Sequence, residues 1–205
     1  DTTMHMVYES SFEALNDAGM SMNDIDAIVL SNMDILSNGE RQRHSASVVS
    51  SLFQKKLPII TVPAGCAGGG IAIWTAVKLI KSGNYKNVLV SAFEKFVSNV
   101  GERVTDEMVM GTEWIYEQAE SLNFPAVNAL VAQQYMAESN ATLDDLALVA
   151  YKNHQNAFLN PKARFYRKKV SIESIKDSPV VASPLRLFDC SIPVNGAASL
   201  VISKE

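Results

Sequence analysis

Cysteine and histidine are scarce in this chain, and long apolar runs are missing. Two cysteines and three histidines among 205 residues form no cluster with metal-ligand spacing, and His5 and His44 stand isolated, so no metal site is expected. Cys66 and Cys190 lie 124 positions apart. The sequence leaves a bridge between them open, but two free thiols in a reducing, cytoplasmic setting are the simpler reading. No apolar stretch approaches the roughly 20 residues that cross a bilayer, and no secretory leader is visible, so no membrane role is expected. An excess of either charge is also lacking. Against 22 acidic residues stand 18 basic ones, a net charge of −4 that offers no cationic surface for nucleic acid or anionic lipid. The rest is an ordinary composition, 47% hydrophobic and 20% charged, long enough for one sizeable core or two small ones.

Glycine is unevenly placed, with four of its ten residues between positions 65 and 70. They surround a cysteine in Pro63-Ala64-Gly65-Cys66-Ala67-Gly68-Gly69-Gly70. The apolar, β-branched run Leu57-Pro58-Ile59-Ile60-Thr61-Val62 precedes this segment, and a helix-like stretch from Ile71 to Ser82 follows it. A strand that turns into a helix at a cysteine sets the sulfur near the helix N-terminus. There, unpaired N–H groups and the helix dipole favour a thiolate, and such positions lower a cysteine pKa from its usual ~8.5. A free cysteine is also often a small core hydrophobe. Glycines pack a core poorly, however, and make sense where another molecule must come close. Cys66 therefore reads as a nucleophile.

Periodicity supplies the frame. Met4, Val7, Tyr8, Phe12 and Leu15 recur at spacings of three and four, which predicts an amphipathic helix ending at Gly19. Ser21-Met22-Asn23-Asp24 has capping-box form. Residues 26–31 read as a buried strand, 41–55 as a helix with Val48, Val49 and Leu52 on one side, 58–62 as a strand, 66–82 as a helix and 87–92 as a strand. This alternation predicts an α/β fold, a mainly parallel sheet layered with helices on both faces. Past residue 96 the alternation stops. An irregular Met- and Glu-rich stretch covers 97–123, helices are expected over 126–138 and 142–159, and a basic stretch follows over 162–169. Strand character returns over 179–187 and 198–203. The expected organisation is a core of 1–96 with 180–205, interrupted by an inserted loop subdomain over 97–179. Long excursions of this kind commonly bind ligands.

Four motifs in order resemble the thiolase family, in its sterol-carrier-protein-type and archaeal branch. Gly65-Cys66-Ala67-Gly68-Gly69 is similar to the nucleophile motif, and Glu94-Lys95 after the strand Val88-Leu89-Val90-Ser91-Ala92 to the branch's Glu-Lys pair. Lys152-Asn153-His154 with Asn156-Ala157 and Asn160-Pro161-Lys162-Ala163 resembles a third segment. Pro184-Leu185-Arg186-Leu187-Phe188-Asp189-Cys190 with Pro193-Val194-Asn195-Gly196-Ala197-Ala198 resembles the signature that ends the family's first half. Asn195 stands where the family usually has Asp, and Gly68-Gly69-Gly70 is richer in glycine than most members.

The resemblance implies a thiolase-like layered fold of two similar halves, of which this chain is the N-terminal one, with the inserted loop domain binding coenzyme A. It implies an acyl-CoA acyltransferase of lipid metabolism, including the mevalonate pathway. Cys66 would take the acyl group from a coenzyme A thioester, which is a substrate, so no resident cofactor is expected. A Claisen condensation or the reverse thiolytic cleavage would follow. The family's base, a histidine in Gly-His-Pro, and its second acid/base, a cysteine in Cys-x-Gly, lie in the second half. Neither motif occurs here, and Cys190 is followed by Ser191-Ile192. The first residues begin almost directly in a helix, so the chain reads as a piece of something longer or as one subunit of a composite protein. Homodimers or tetramers are implied. So are a zinc-ribbon/OB-fold protein and hydroxymethylglutaryl-CoA synthase as partners.

Other residues carry two readings each. His154 is either a helix-face histidine bonded locally or a pocket contact. The basic stretch is either a solvated face or, through Arg164, Arg167 and Lys168, a site for the coenzyme's 3′-phosphate. Phe124 and Met110 either pack a core or line an acyl tunnel. Gly68 is expected to let substrate approach, and Glu94 to sit in a buried ion pair or interface. Two further functions stand beside the acyltransferase. One is a thiolase-like retro-aldolase, which does not rely on Cys66; the other is a non-catalytic scaffold that binds acyl-CoA. Ketoacyl synthases fit residues 152–163 poorly.

Overall fold

Ala27–Ser31 forms strand β1, and all five of its residues are buried, the mark of a central strand covered on both faces. The structure is a computed structural model that describes residues 2–33, 40, 42–95 and 109–204. The chain divides into two units, 1–101 with 194–205 and 102–193.

In the first unit, β1 pairs in parallel with β2 (Ile59–Thr61) and with β3 (Asn87–Lys95). The β6 strand (Asn195–Ser203) closes the sheet antiparallel to β3, giving the order β2-β1-β3-β6. Alternation along the strands sorts the core. Ile28, Leu30, Leu89 and Phe93 face α1 (Thr3–Asp17) and α2 (Ser45–Ser50), packing with Val7, Leu15, Val49 and Phe53. Ala27, Val29, Val88 and Val90 face α3 (Gly68–Lys81) through Ala72 and Ala76. The mainly parallel sheet with helices on both faces is thus as the pattern predicts.

The helix expected over 41–55 is shorter and runs only over Ser45–Ser50. His44 (φ 58°) and Gln54 (φ 47°) adopt left-handed backbone on either side of it, and that conformation cannot continue a right-handed helix. Arg41, and residues 97–108 of the expected irregular stretch, lie outside the described residues.

The open ends of β1 and β3 are joined by one carboxylate. Asp26 Oδ2 accepts the backbone N–H groups of Lys86 at 2.7 Å and Asn87 at 3.0 Å. Those N–H groups hold its carboxyl below the usual carboxylate range. A carboxyl depressed on folding adds stability that is fully present above its unfolded value of about 4 and is lost as pH falls through the folded value. Urea midpoints of the wild type and Asp26→Asn should therefore differ at pH 7, and the gap should shrink as pH falls below about 4. A gap that does not shrink below about pH 4 would contradict this role.

The second unit is helical. Helix α4 (Phe124–Ser139) starts at the N-cap Asn123, whose Oδ1 accepts the Ala126 N–H at 3.1 Å. Helix α5 (Leu143–Leu159) starts at the predicted capping box of Thr142 and Asp145. A short α6 (Ile172–Lys176) follows, then a small hairpin of β4 (Val180–Ala182) and β5 (Leu185–Arg186). Residues 180–193, expected in the sheet core, group with this second unit instead. Their strand character belongs to a local hairpin that side chains tie to the helices. Gln133 Nε2 donates to Ser183 O at 2.6 Å, and Arg186 Nη1 donates to Ser178 O at 2.7 Å. The strand that does return to the main sheet is β6.

Candidate active site

The C-terminal ends of the parallel strands build the site, the edge where open α/β sheets place their chemistry. Past β2, Val62 N–H still donates to Leu30 O at 2.9 Å. The chain then enters a single 3₁₀ turn, Gly65–Ala67, closed by Ala67 N–H on Ala64 O at 3.0 Å, and α3 begins at Gly68. Cys66, the expected first residue of the helix, sits instead within that turn, two residues ahead of the observed helix start at Gly68, with its thiol exposed. Both cysteines are free. Cys190 is half-buried, and burial followed by the neighbouring Asp189 charge pushes its thiol pKa up, away from thiolate chemistry.

Three contacts seat the turn on the end of β1. Gly65 has φ 52°, a conformation glycine adopts without strain, and its N–H donates to Met33 O at 3.0 Å. Gly68 is buried against β1, where a Cβ would stand 2.5 Å from Ser31 Oγ and 3.4 Å from Asn32 O. Ser31 Oγ in turn donates to Val62 O at 2.9 Å. Gly68 is thus a packing residue before it is anything else. A Cβ on Gly69 or Gly70 would meet nothing within 4 Å.

The Glu94-Lys95 pair ends β3 beside this turn. The Glu94 carboxylate accepts the Met33 N–H, and Lys95 Nζ lies 3.1 Å from Glu40 Oε1. Glu40 also accepts the Thr3 N–H at 2.9 Å. Burial pushes the Glu40 carboxyl up, but the Thr3 N–H and the Lys95 ammonium outweigh it and hold the group below the usual range. Ser31 and Met33 were invisible as site residues in the sequence; the acidic residue at a strand end and its place in the Glu94-Lys95 pair were the signals for Glu94.

In the second unit, His154 is a brace. Its Nε2 lies 3.1 Å from Phe188 O, and its ring meets Phe165 and Phe188 edge-on at 4.6 and 5.6 Å. Lys168 Nζ lies 6.0 Å from the centre of the Phe165 ring, so His154 and Lys168 share one aromatic neighbour. Arg167 stacks on Tyr166 at 4.9 Å, and Arg164, Arg167 and Lys168 are all exposed. Phe124 is the half-buried first residue of α4 and stands apart from that aromatic group, and Met110 is exposed. Among the described residues, no group of three or more His, Cys, Asp or Glu could hold a metal ion, and no helix is long and apolar enough to cross a membrane.

Residues 2–183 match the family model described as thiolase, N-terminal domain. An acetyl-CoA acetyltransferase of Methanothermobacter thermautotrophicus is 32% identical over 197 residues, covering 96% of this chain and 51% of that protein. A 17-hydroxy-3-oxo-4-pregnene-20-carboxyl-CoA lyase of Mycobacterium tuberculosis is 30% identical over 213 residues, covering 98% and 52%. Among solved structures, an Ltp2-ChsH2(DUF35) aldolase superposes with a TM-score of 0.75 at 23% identity, over 99% of this chain and 51% of that one, a likeness of fold. The chain spans about half the length of the curated relatives it matches.

Proposed function

The chain belongs to the thiolase family, and from that premise we propose that it carries the nucleophile of an acyl-CoA acyltransferase, an acetyl-CoA C-acetyltransferase or 3-ketoacyl-CoA thiolase. The observation that carries this reading is the exposed Cys66 thiol in a glycine-built turn at the head of a 14-residue helix. The Cys66 thiolate attacks the thioester carbonyl, the tetrahedral oxyanion collapses, and coenzyme A leaves as its thiolate, which takes up a proton. The acyl group then rests on Sγ. The α-carbanion of a second acyl-CoA attacks that acyl carbon, forming the new carbon–carbon bond and returning Cys66. Thiolysis runs the same steps backwards. The Cys66 backbone N–H is the proposed oxyanion donor, and the acid and base come from the family's second half.

Coenzyme A is substrate here, with Arg164, Arg167 and Lys168 as the exposed cations for its phosphates. His154 supports that region from beneath Phe165 and Phe188, and Phe124 stays a candidate for the acyl or pantetheine path. We place the protein in the cytoplasm as a homodimer or tetramer. A zinc-ribbon/OB-fold partner and hydroxymethylglutaryl-CoA synthase are the proposed associates.

A second reading has its own support, because the relative named as a lyase is 30% identical. Aldol cleavage does not need a cysteine nucleophile, and neither does a scaffold. Removing Cys66 separates the readings. In the native protein, Cys66→Ala should lower acetoacetyl-CoA thiolysis by about 10³-fold or more, the scale of loss when a covalent nucleophile is removed. Cleavage of a 3-hydroxyacyl-CoA that survives the substitution supports the aldolase, and coenzyme binding with neither reaction in either protein supports the scaffold.

A further inference from the structure

We infer that Glu94 is a positioning residue for the Cys66 nucleophile, acting through the backbone of Met33. The inference rests on the proposed role of Cys66 and adds to it the group that holds the turn in place. Pairing of β1 ends at Ser31, so Met33 lies beyond the sheet and needs its backbone groups satisfied elsewhere. Both are satisfied. The Glu94 carboxylate accepts the Met33 N–H, and Met33 O accepts the Gly65 N–H at 3.0 Å. The two bonds flank the Met33 Cα and fix the backbone on both sides of it. Gly65 directly precedes Cys66 and holds the left-handed backbone that turns the chain toward the thiol.

The anchor itself is rigid. Glu94 lies in β3, in register with Gly196 of β6, on a strand whose residues Val88–Ser91 are fully buried. A carboxylate accepting an N–H makes a bond of about twice the strength of a neutral one. The path from the sheet to the nucleophile is therefore short: β3, Glu94, Met33, Gly65, Cys66. Ser31 and Gly68 hold the turn from its other side. A nucleophile held from two sides keeps its approach to a carbonyl, and a misplacement near 1 Å costs about 100-fold in rate.

The test compares Glu94→Leu, Glu94→Gln and Glu94→Asp in the native protein. Leu removes the acceptor, Gln keeps a neutral acceptor of the same reach, and Asp keeps the charge but shortens the reach by one methylene. Acetyl-CoA turnover should fall about 10- to 100-fold in kcat for Glu94→Leu with KM little changed. Glu94→Asp should also fall, and Glu94→Gln should restore most of the loss. Iodoacetamide labelling of Cys66, with Cys190 as the internal standard, supplies a readout that needs no catalysis. Its rate should change at least about threefold in Leu and Asp and far less in Gln, since thiol reactivity follows the local setting. A kcat and a labelling rate that stay at wild-type values in Leu and Asp overturn the inference, as does a Gln variant that falls as far as Leu. If the wild type takes no acetyl group at Cys66, the acyltransferase reading fails, and the labelling rates alone decide whether Glu94 positions the thiol.

Discussion

Gly68→Ala should cost up to about 2 kcal/mol of stability and slow acylation of Cys66 by about tenfold or more. The added Cβ would stand 2.5 Å from Ser31 Oγ, a hydroxyl that is itself buried and bonded to Val62 O. Overpacking of this kind costs about 1–3 kcal/mol, and replacing a helical glycine by alanine gives back about 1 kcal/mol. Either the hydroxyl rotates and gives up its bond, or the start of α3 moves off β1 and takes Cys66 with it. The second variant Ser31→Ala removes the obstructing oxygen, so the pair should couple. Gly68→Ala combined with Ser31→Ala should be more stable, and faster in acylation, than the sum of the single changes allows. Denaturant unfolding of the four proteins measures this. Wild-type stability together with wild-type acylation in Gly68→Ala, or strict additivity in the double variant, would show that β1 and α3 are not in the contact described.

The second large effect lies in the core. Leu30 is fully buried in the middle of β1, in register with Thr61 on one side and Ser91 on the other. Leu30→Ala should lose about 2–5 kcal/mol, through lost burial and the cavity left between the sheet and α1. Leu130, exposed on α4, provides the control, and Leu130→Ala should stay within about 0.5 kcal/mol of wild type. Equal effects at the two leucines in urea denaturation would contradict the placement of β1 at the centre of the sheet.

Local chemistry made much of this fold legible. The caps at Thr142 and Asp145, the apolar spacing through Leu15 and the run at residues 26–31 each state their element without outside help. The turn at Cys66 was legible for the same reason, because glycine at Gly65 and Gly68 answers backbone and packing demands within a few residues of it. The turn's supports were not. Ser31 and Met33 support the turn from a strand end that is distant in sequence, and nothing in their own neighbourhoods signals it; Glu94 stands out in the sequence, but its bond to Met33 was not foreseeable. The ends of α2 escaped because His44 and Gln54, not glycines, take the left-handed backbone there. The hairpin at residues 180–186 has the composition of a sheet strand but pairs with itself. His154 illustrates the limit on single residues. Its partners Phe165 and Phe188 lie 11 and 34 positions away, so helix spacing could not reveal that the imidazole braces an aromatic group.

The central claim is that Cys66 carries the acyl group. It is tested most directly by incubating the native protein with acetyl-CoA, digesting it, and locating any added acetyl mass by peptide sequencing. The account predicts one acetyl group on the peptide that contains Cys66, none on the peptide that contains Cys190, and no adduct after prior treatment with iodoacetamide. A folded native protein that takes no acetyl group, or takes it at Cys190, would contradict the account.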